Sequence, residues 1–290
     1  MNFLLLVVLY MLQRRFDIPF SRVFDRKLEL VLKRSHWHTA NAAYLFIGIT
    51  ILLALLFYVA LESISQDYFG LLYFFAEFLI LLFLLGDSGF KEQIMQFSAS
   101  AEKGDHTGAH HILSACYPTE AVYRISSPAE LRYQACHWLL EESFRRYFLV
   151  IFWFALAGAP AALMVRMFEQ IERRKTGGQI EIFAKVYELA AFVPSRILAF
   201  SFAFTGNFST CYRVALEKML DLNITAVNFL HLTAQGALGE DCRDSSDKRG
   251  SDFPQYSETT TLLTAIRELL NRSLGVWFMV LALFALAGWM

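Results

Sequence analysis

Long apolar runs without a single charge limit what this chain can become. Ala40 to Leu61 and Tyr147 to Val165 contain no Asp, Glu, Lys or Arg, and Ser273 to Met290 is uncharged to its last residue. Each is long enough, at the rise of an α-helix, to cross a hydrocarbon core about 30 Å thick or to come close to it. Tyr68 to Leu85 is of the same kind, interrupted only by Glu77. Ile197 to Tyr212 is uncharged but short, and Gly206-Asn207 divides it, which suits a re-entrant or shallow helix as well as a span. The runs predict an all-α fold: a polytopic helical membrane protein of about four or five spans in a single membrane domain over 1–290, with polar helical regions at 86–146 and 166–272.

Composition agrees. Of 290 residues, 56% are hydrophobic, and the mean hydropathy of +0.40 exceeds what a soluble core of this size hides. The balance of 26 basic and 27 acidic residues gives no cationic field for nucleic acid, so no nucleic-acid partner is expected. Cys116, Cys136, Cys211 and Cys242 form no C-x-x-C pair and read as free thiols. The segment Met1 to Leu12 is apolar from its start, with Arg14 and Arg15 after it, the reverse of a secretory signal. As a helix it would rise only about 18 Å, so by itself it is a marginal span.

Loop charge should orient the spans. Residues 13–39 hold seven Lys and Arg, the turn 62–67 holds none, and residues 86–146 hold six, which places the first and last of these loops in the cytoplasm. After Val165 the rule falters, because Arg166, Arg173, Arg174, Lys175 and Lys185 follow at once. Either the rule is violated there or Gly158-Ala159-Pro160 breaks the segment so that it dips in and returns. Among the polar regions, Ser127-Pro128-Ala129-Glu130 combines an N-cap serine, a first-turn proline and a capping-box glutamate, so a helix starts there and could run into the membrane at Tyr147. Helical spacing of apolar residues recurs in 178–192 and 209–235, whereas Gly239 to Gln255 reads as a linker.

Glu77 is the most informative residue. Among Phe74, Phe75, Phe78 and Leu79 a bare carboxylate would be costly, so it should be protonated or paired toward the bundle interior, as a proton, ion or head-group site or as a structural pair. Arg196, beside Val193-Pro194-Ser195, is its natural partner, or else a snorkelling interfacial arginine. Glu141, Glu142, Arg145 and Arg146 stack acid over base at helical spacing, as a ligand site or an exposed ion-paired face. The candidate ligand-binding residues are thus Glu77, Glu141, Arg145 and Arg196. His106, His110 and His111 with Asp105 have a metal-like spacing, but Gly104 and Gly108 favour a solvated loop. His36-Trp37-His38 fits a membrane-interface belt. No metal and no cofactor is assigned, and the P-loop, nucleophile-elbow and H-E-x-x-H signatures are missing from the sequence.

Arg145-Arg146-Tyr147 followed by Ile151-Phe152-Trp153-Phe154, then Gly158-Ala159-Pro160 and Val193-Pro194-Ser195-Arg196 with Gly206, resembles the AmpE family. The apolar start, the basic stretch around Phe24-Asp25-Arg26-Lys27-Leu28-Glu29 and the two close spans follow the same order, so the likeness covers nearly the whole chain. The resemblance implies a bacterial inner-membrane protein linked to the muropeptide amidase AmpD and to β-lactamase induction. It implies as partners membrane lipid, a muropeptide or lipid-linked ligand and an AmpD-pathway protein; a homo-oligomer is compatible with it. It also implies kinship with the cobinamide-synthase enzymes CbiB and CobD, which use ATP. Against their Glu-Asn-x-x-Asp run and the Pro-Leu-Phe-Trp sequence shortly after it, aligned without gaps on Phe152-Trp153, this chain keeps the acid as Glu141 but has Glu142 for the amide, Arg145 for the second acid and Val150 for the proline. Two readings follow: an accessory or sensor protein in peptidoglycan-stress signalling, or an enzyme of the cobinamide-synthase type. A structural anchor for AmpD through residues 86–146 is a third.

Overall fold

The computed structural model describes residues 77–82, 84–85, 89–117, 119–172, 180–239 and 259–287, with Gly48 and Leu56. The expected segment 1–12, nearly all of 40–61, the start of 68–85, His36-Trp37-His38 and most of the 239–255 linker lie outside them. The described residues are all-α, with no strand among them. After helical residues 77–82 come α1 (Phe90–Glu102), α2 (His106–Cys116), α3 (Glu120–Tyr123), α4 (Pro128–Ser143), a π turn (Phe144–Phe148), α5 (Leu149–Glu172), α6 (Ile180–Thr205), α7 (Phe208–Lys218), α8 (Ala226–Ala237) and α9 (Thr259–Leu286).

Side-chain caps set where the polar helices begin. Asp105, Ser127, Asn207 and Thr225 each accept from the backbone N–H three residues on, at 2.9 to 3.4 Å, which satisfies a donor that the first helical turn cannot. At α4 the expected capping box is shifted by one: Glu130 Oε2 accepts from the backbone N–H of Ser126, 3.1 Å away. The histidine segment expected as a loop is α2. Gly108 falls in its first turn, where the Asp105 carboxylate takes up its N–H, and Gly104 supplies the positive φ of 70° that ends the preceding turn.

Among the described residues three helical stretches are long and apolar enough to cross a membrane: Pro128–Glu172, which is broken at Ala157-Gly158, the stretch Ile182–Thr205 of α6, and α9. The chain is an all-α membrane protein. The 197–212 stretch divides as its sequence suggests, with Gly206 closing α6 and Asn207 capping α7. A Cβ on Gly206 would stand 2.5 Å from the Ala237 carbonyl oxygen, so only glycine lets α6 and α8 approach there.

By internal packing the chain divides into two compact units. One contains Met1–Ser88, Arg145–Phe192 and Val280–Met290; the other contains Gly89–Phe144 and Val193–Met279. In the first, Phe168 and Phe183 join Met164, Ile171, Ile182 and Val186 in an apolar cluster. In the second, the buried Trp138 of α4 meets Phe90 and Phe97 of α1, with ring centroids at 5.4 and 6.4 Å. Trp277 of α9 donates its indole N–H to Ser201 Oγ at 2.9 Å, and the Ser273 and Thr205 hydroxyls lie 3.0 Å apart, so α9 runs antiparallel to the end of α6.

Two prolines interrupt the long helices, and each interruption is compensated. Before Pro160, Ala157 leaves helical geometry and Gly158 adopts φ 73°, so Pro160 falls in the first turn of a resumed helix, where its missing N–H leaves no bond unmade. Pro194 sits inside α6 and cannot donate to the Ala190 carbonyl. That oxygen instead accepts from the indole N–H of Trp153 on α5, at 3.1 Å. Trp153→Phe should therefore cost about 1–3 kcal/mol through an unsatisfied acceptor. In a Pro194→Ala background, which restores a helical donor, the loss should shrink, as a double-mutant cycle of unfolding in detergent would measure.

Candidate functional site

Glu77 is 2% exposed. Its Oε1 lies 3.7 Å from where a Cβ on Gly158 would stand, which puts the carboxyl at the start of the helix resumed after the break. The first backbone N–H groups of such a start carry partial positive charge, which suits an acid here.

Arg145 lies in the π turn that joins α4 to α5. Its Nη1 donates to Glu172 Oε2 at 3.1 Å, and its guanidinium stands 4.8 Å from the centre of the Tyr187 ring of α6. The arginine is 6% exposed, so the pair works with little screening by water. One turn before Glu172, Arg166 and Glu169 form a second pair at 2.5 Å and are buried at 3% and 0% exposure. Charges this well hidden persist because each finds its counter-ion on the same or a neighbouring helix.

In the other unit, Glu141 belongs to a polar cluster between α2, α4 and α8. The Tyr117 hydroxyl donates to Glu141 Oε2, and that oxygen is 3.8 Å from His137 Nδ1. His137 Nε2 meets Asn228 Oδ1 at 3.1 Å, which fixes the ring between helices. The buried His231 ring lies 5.6 Å from that of His137 and edge-on to Tyr133 at 4.6 Å. Burial, and next the nearby His137, hold the His231 imidazole far below its ordinary 6.5, at about 3, so it stays neutral.

Arg196 belongs to that unit as well. Its Nε donates to the carbonyl of Met219 at 3.3 Å, its Nη2 to that of Asp221 at 3.2 Å and its Nη1 to Ser195 Oγ at 3.0 Å, over the face of Phe229. These carbonyls belong to the C-terminal end of α7 and the turn after it, so the guanidinium acts there as a cap.

Of the four residues singled out from sequence, Glu77 and Arg145 thus belong to one unit, and Glu141 and Arg196 to the other. Sequence reasoning missed Glu172 and Tyr187 around Arg145, and Tyr117, His137 and Asn228 around Glu141. The spacing of His137 and Glu141, one turn apart on a helix, was the only local signal; Asn228 is 91 residues from His137. Of the histidine segment, His110 Nε2 bonds the Val122 carbonyl oxygen at 2.9 Å.

All-α in its described residues, with apolar helices that carry buried ion pairs, the chain has the make-up of a membrane protein with internal polar sites. No family model, curated protein or solved structure matches it.

The neutral His231 gives a pH dependence with a definite sign. Below 6.5 the unfolded chain takes up a proton that the folded imidazole refuses until about pH 3, so this residue lowers stability as pH falls through that window. The slope approaches about 1.4 kcal/mol per pH unit. Between pH 7.5 and 5.5 the unfolding midpoint should fall, and His231→Leu should flatten that fall.

Proposed function

We propose that this chain is a multi-pass protein of the bacterial inner membrane that serves as an accessory or sensor protein in β-lactamase induction and peptidoglycan-stress signalling. It binds a muropeptide-like or lipid-linked ligand. The observation that carries the reading is Arg145: a buried arginine, paired with Glu172 and facing Tyr187, in the π turn that joins α4 to α5. Widened turns of this kind recur at functional sites, and ionisable groups within apolar helices are retained for binding or transfer more often than for stability. Arg145-Arg146-Tyr147 is also part of the resemblance to the AmpE family. Muropeptides carry carboxylates and lipid-linked wall precursors carry phosphates, both of which a planar guanidinium fork recognises. Glu77, in the same unit as Arg145, would accept from the hydroxyl or amide groups of such a ligand. In this reading an AmpD-pathway protein is a partner, and the chain is free to form homo-oligomers.

The decisive test is β-lactamase induction by a β-lactam in a strain lacking this chain, complemented with the wild type, Arg145→Ala or Arg145→Lys. Loss of induction on deletion, restored by wild type and not by Arg145→Ala at equal membrane abundance, is the expected result. Induction that survives deletion would end the signalling role.

A second reading, an enzyme of the cobinamide-synthase type acting with ATP, is favoured by one arrangement. Glu141, the acid shared with those enzymes, has a tyrosine hydroxyl as donor and an imidazole within 3.8 Å, which are the components of proton transfer. Purified protein that turns over ATP, with turnover lost in Glu141→Gln, would favour this reading over the first.

A further inference from the structure

We propose that α7 and the turn that follows it seat in the boundary between acyl chains and head groups of a phospholipid bilayer. α7 is two-faced. Cys211, Val214 and Ala215 are buried, whereas Phe208, Tyr212 and Leu216 repeat at four-residue intervals on the outer face, with 51%, 39% and 49% of their surface exposed. The exposed strip continues onto the turn, where Leu220 and Leu222 are 83% and 78% exposed. Scattered apolar side chains on a surface need no partner, but a contiguous strip of this kind marks an interaction face.

What covers the strip follows from its continuity with α6, a helix apolar enough to cross a membrane. Phe204 of α6 is 72% exposed, and its ring is 6.1 Å from that of Phe208, which stacks on Tyr212 at 5.1 Å and 12°. Tyr212 in turn reaches Phe200 of α6 at 6.4 Å. The exposed aromatic face of α6 therefore passes onto α7 through Phe204, Phe208 and Tyr212, with the exposed Asn207 and Ser209 beside it.

α7 also folds back along α6: Cys211 Sγ meets the Ala199 carbonyl at 3.7 Å, and Arg196 reaches Met219 and Asp221. Irregular backbone is excluded from lipid unless its polar groups are satisfied within the protein, and Arg196 supplies donors to two carbonyls of this turn. Depth is set by charge. Glu217 and Lys218 are exposed beside the leucines, and charged groups at the hydrocarbon centre are costly, so the strip belongs at the boundary, where long side chains reach the head groups.

The test uses the full chain in phosphatidylcholine nanodiscs with bromine at the upper or at the terminal part of the acyl chains. Leu222→Trp and, independently, Leu216→Trp are compared with the parent, and the added emission is read. Quenching by upper-chain bromine of more than half of the added emission, and less by terminal bromine, is the expected result. Emission quenched by aqueous iodide and not by bromine would overturn the proposal, because the strip would face water. Bromine-insensitive emission that appears only when two copies share a disc would overturn it in favour of a second copy of this chain. Should one variant fail to fold, the other carries the same readout.

Discussion

Hydrocarbon offers no hydrogen bonds, so every backbone N–H and C=O of a helix within it must be answered by the protein itself. The long helices of this chain show how that demand is met where the sequence interrupts them. Pro160 is placed just after a break, where no donor is required of it. Pro194 leaves the Ala190 carbonyl open, and an indole from the next helix closes it. Along the end of α6, Ser201 and Thr205 return their hydroxyls to the carbonyls of Ile197 and Ser201, and Ser201 still accepts from Trp277. Small polar residues in an apolar helix thus bind the bundle without leaving a group unanswered.

The same demand governs the charges. Arg145 with Glu172 and Arg166 with Glu169 place cation beside anion within one helix or along one chain segment. Such pairs add little net stability, since desolvation offsets most of the attraction, but removing one member leaves the other stranded. The pair of Arg145 and Glu172, 27 residues apart, therefore specifies where two chain segments meet more than it strengthens the fold. Arg196 also spends its fork on carbonyls at the end of α7.

Much of the architecture was legible because it rests on local rules. The uncharged runs Tyr147 to Val165 and Ser273 to Met290 fall on α5 and α9, whereas the apolar stretch Ile182–Thr205 carries Lys185, Glu188 and Arg196 and no uncharged run marks its start. The serine-proline-glutamate start of α4 located a helix boundary to the residue. The candidate site was legible only in part. Buried position could be inferred for Glu77 from its apolar neighbours, and Gly158-Ala159-Pro160 offered a break as one of two readings, but the meeting of the two depends on packing that no spacing encodes. The polar cluster around Glu141 depends on α2 and α8 reaching α4 from distant parts of the chain. The loop expected over His106 to His111 is a helix because one aspartate cap outweighs the modest cost of a glycine in the first turn.

The indole bridge between Trp153 and Ala190 has a geometric consequence. A helix that keeps all its own bonds can slide along a neighbour with only packing to oppose it. Here one rung of α6 is completed from outside, so axial sliding of α5 by a single turn would strip that rung of its donor in a medium with no substitute. The two helices are thereby pinned at one height, like a bolt through adjoining rails.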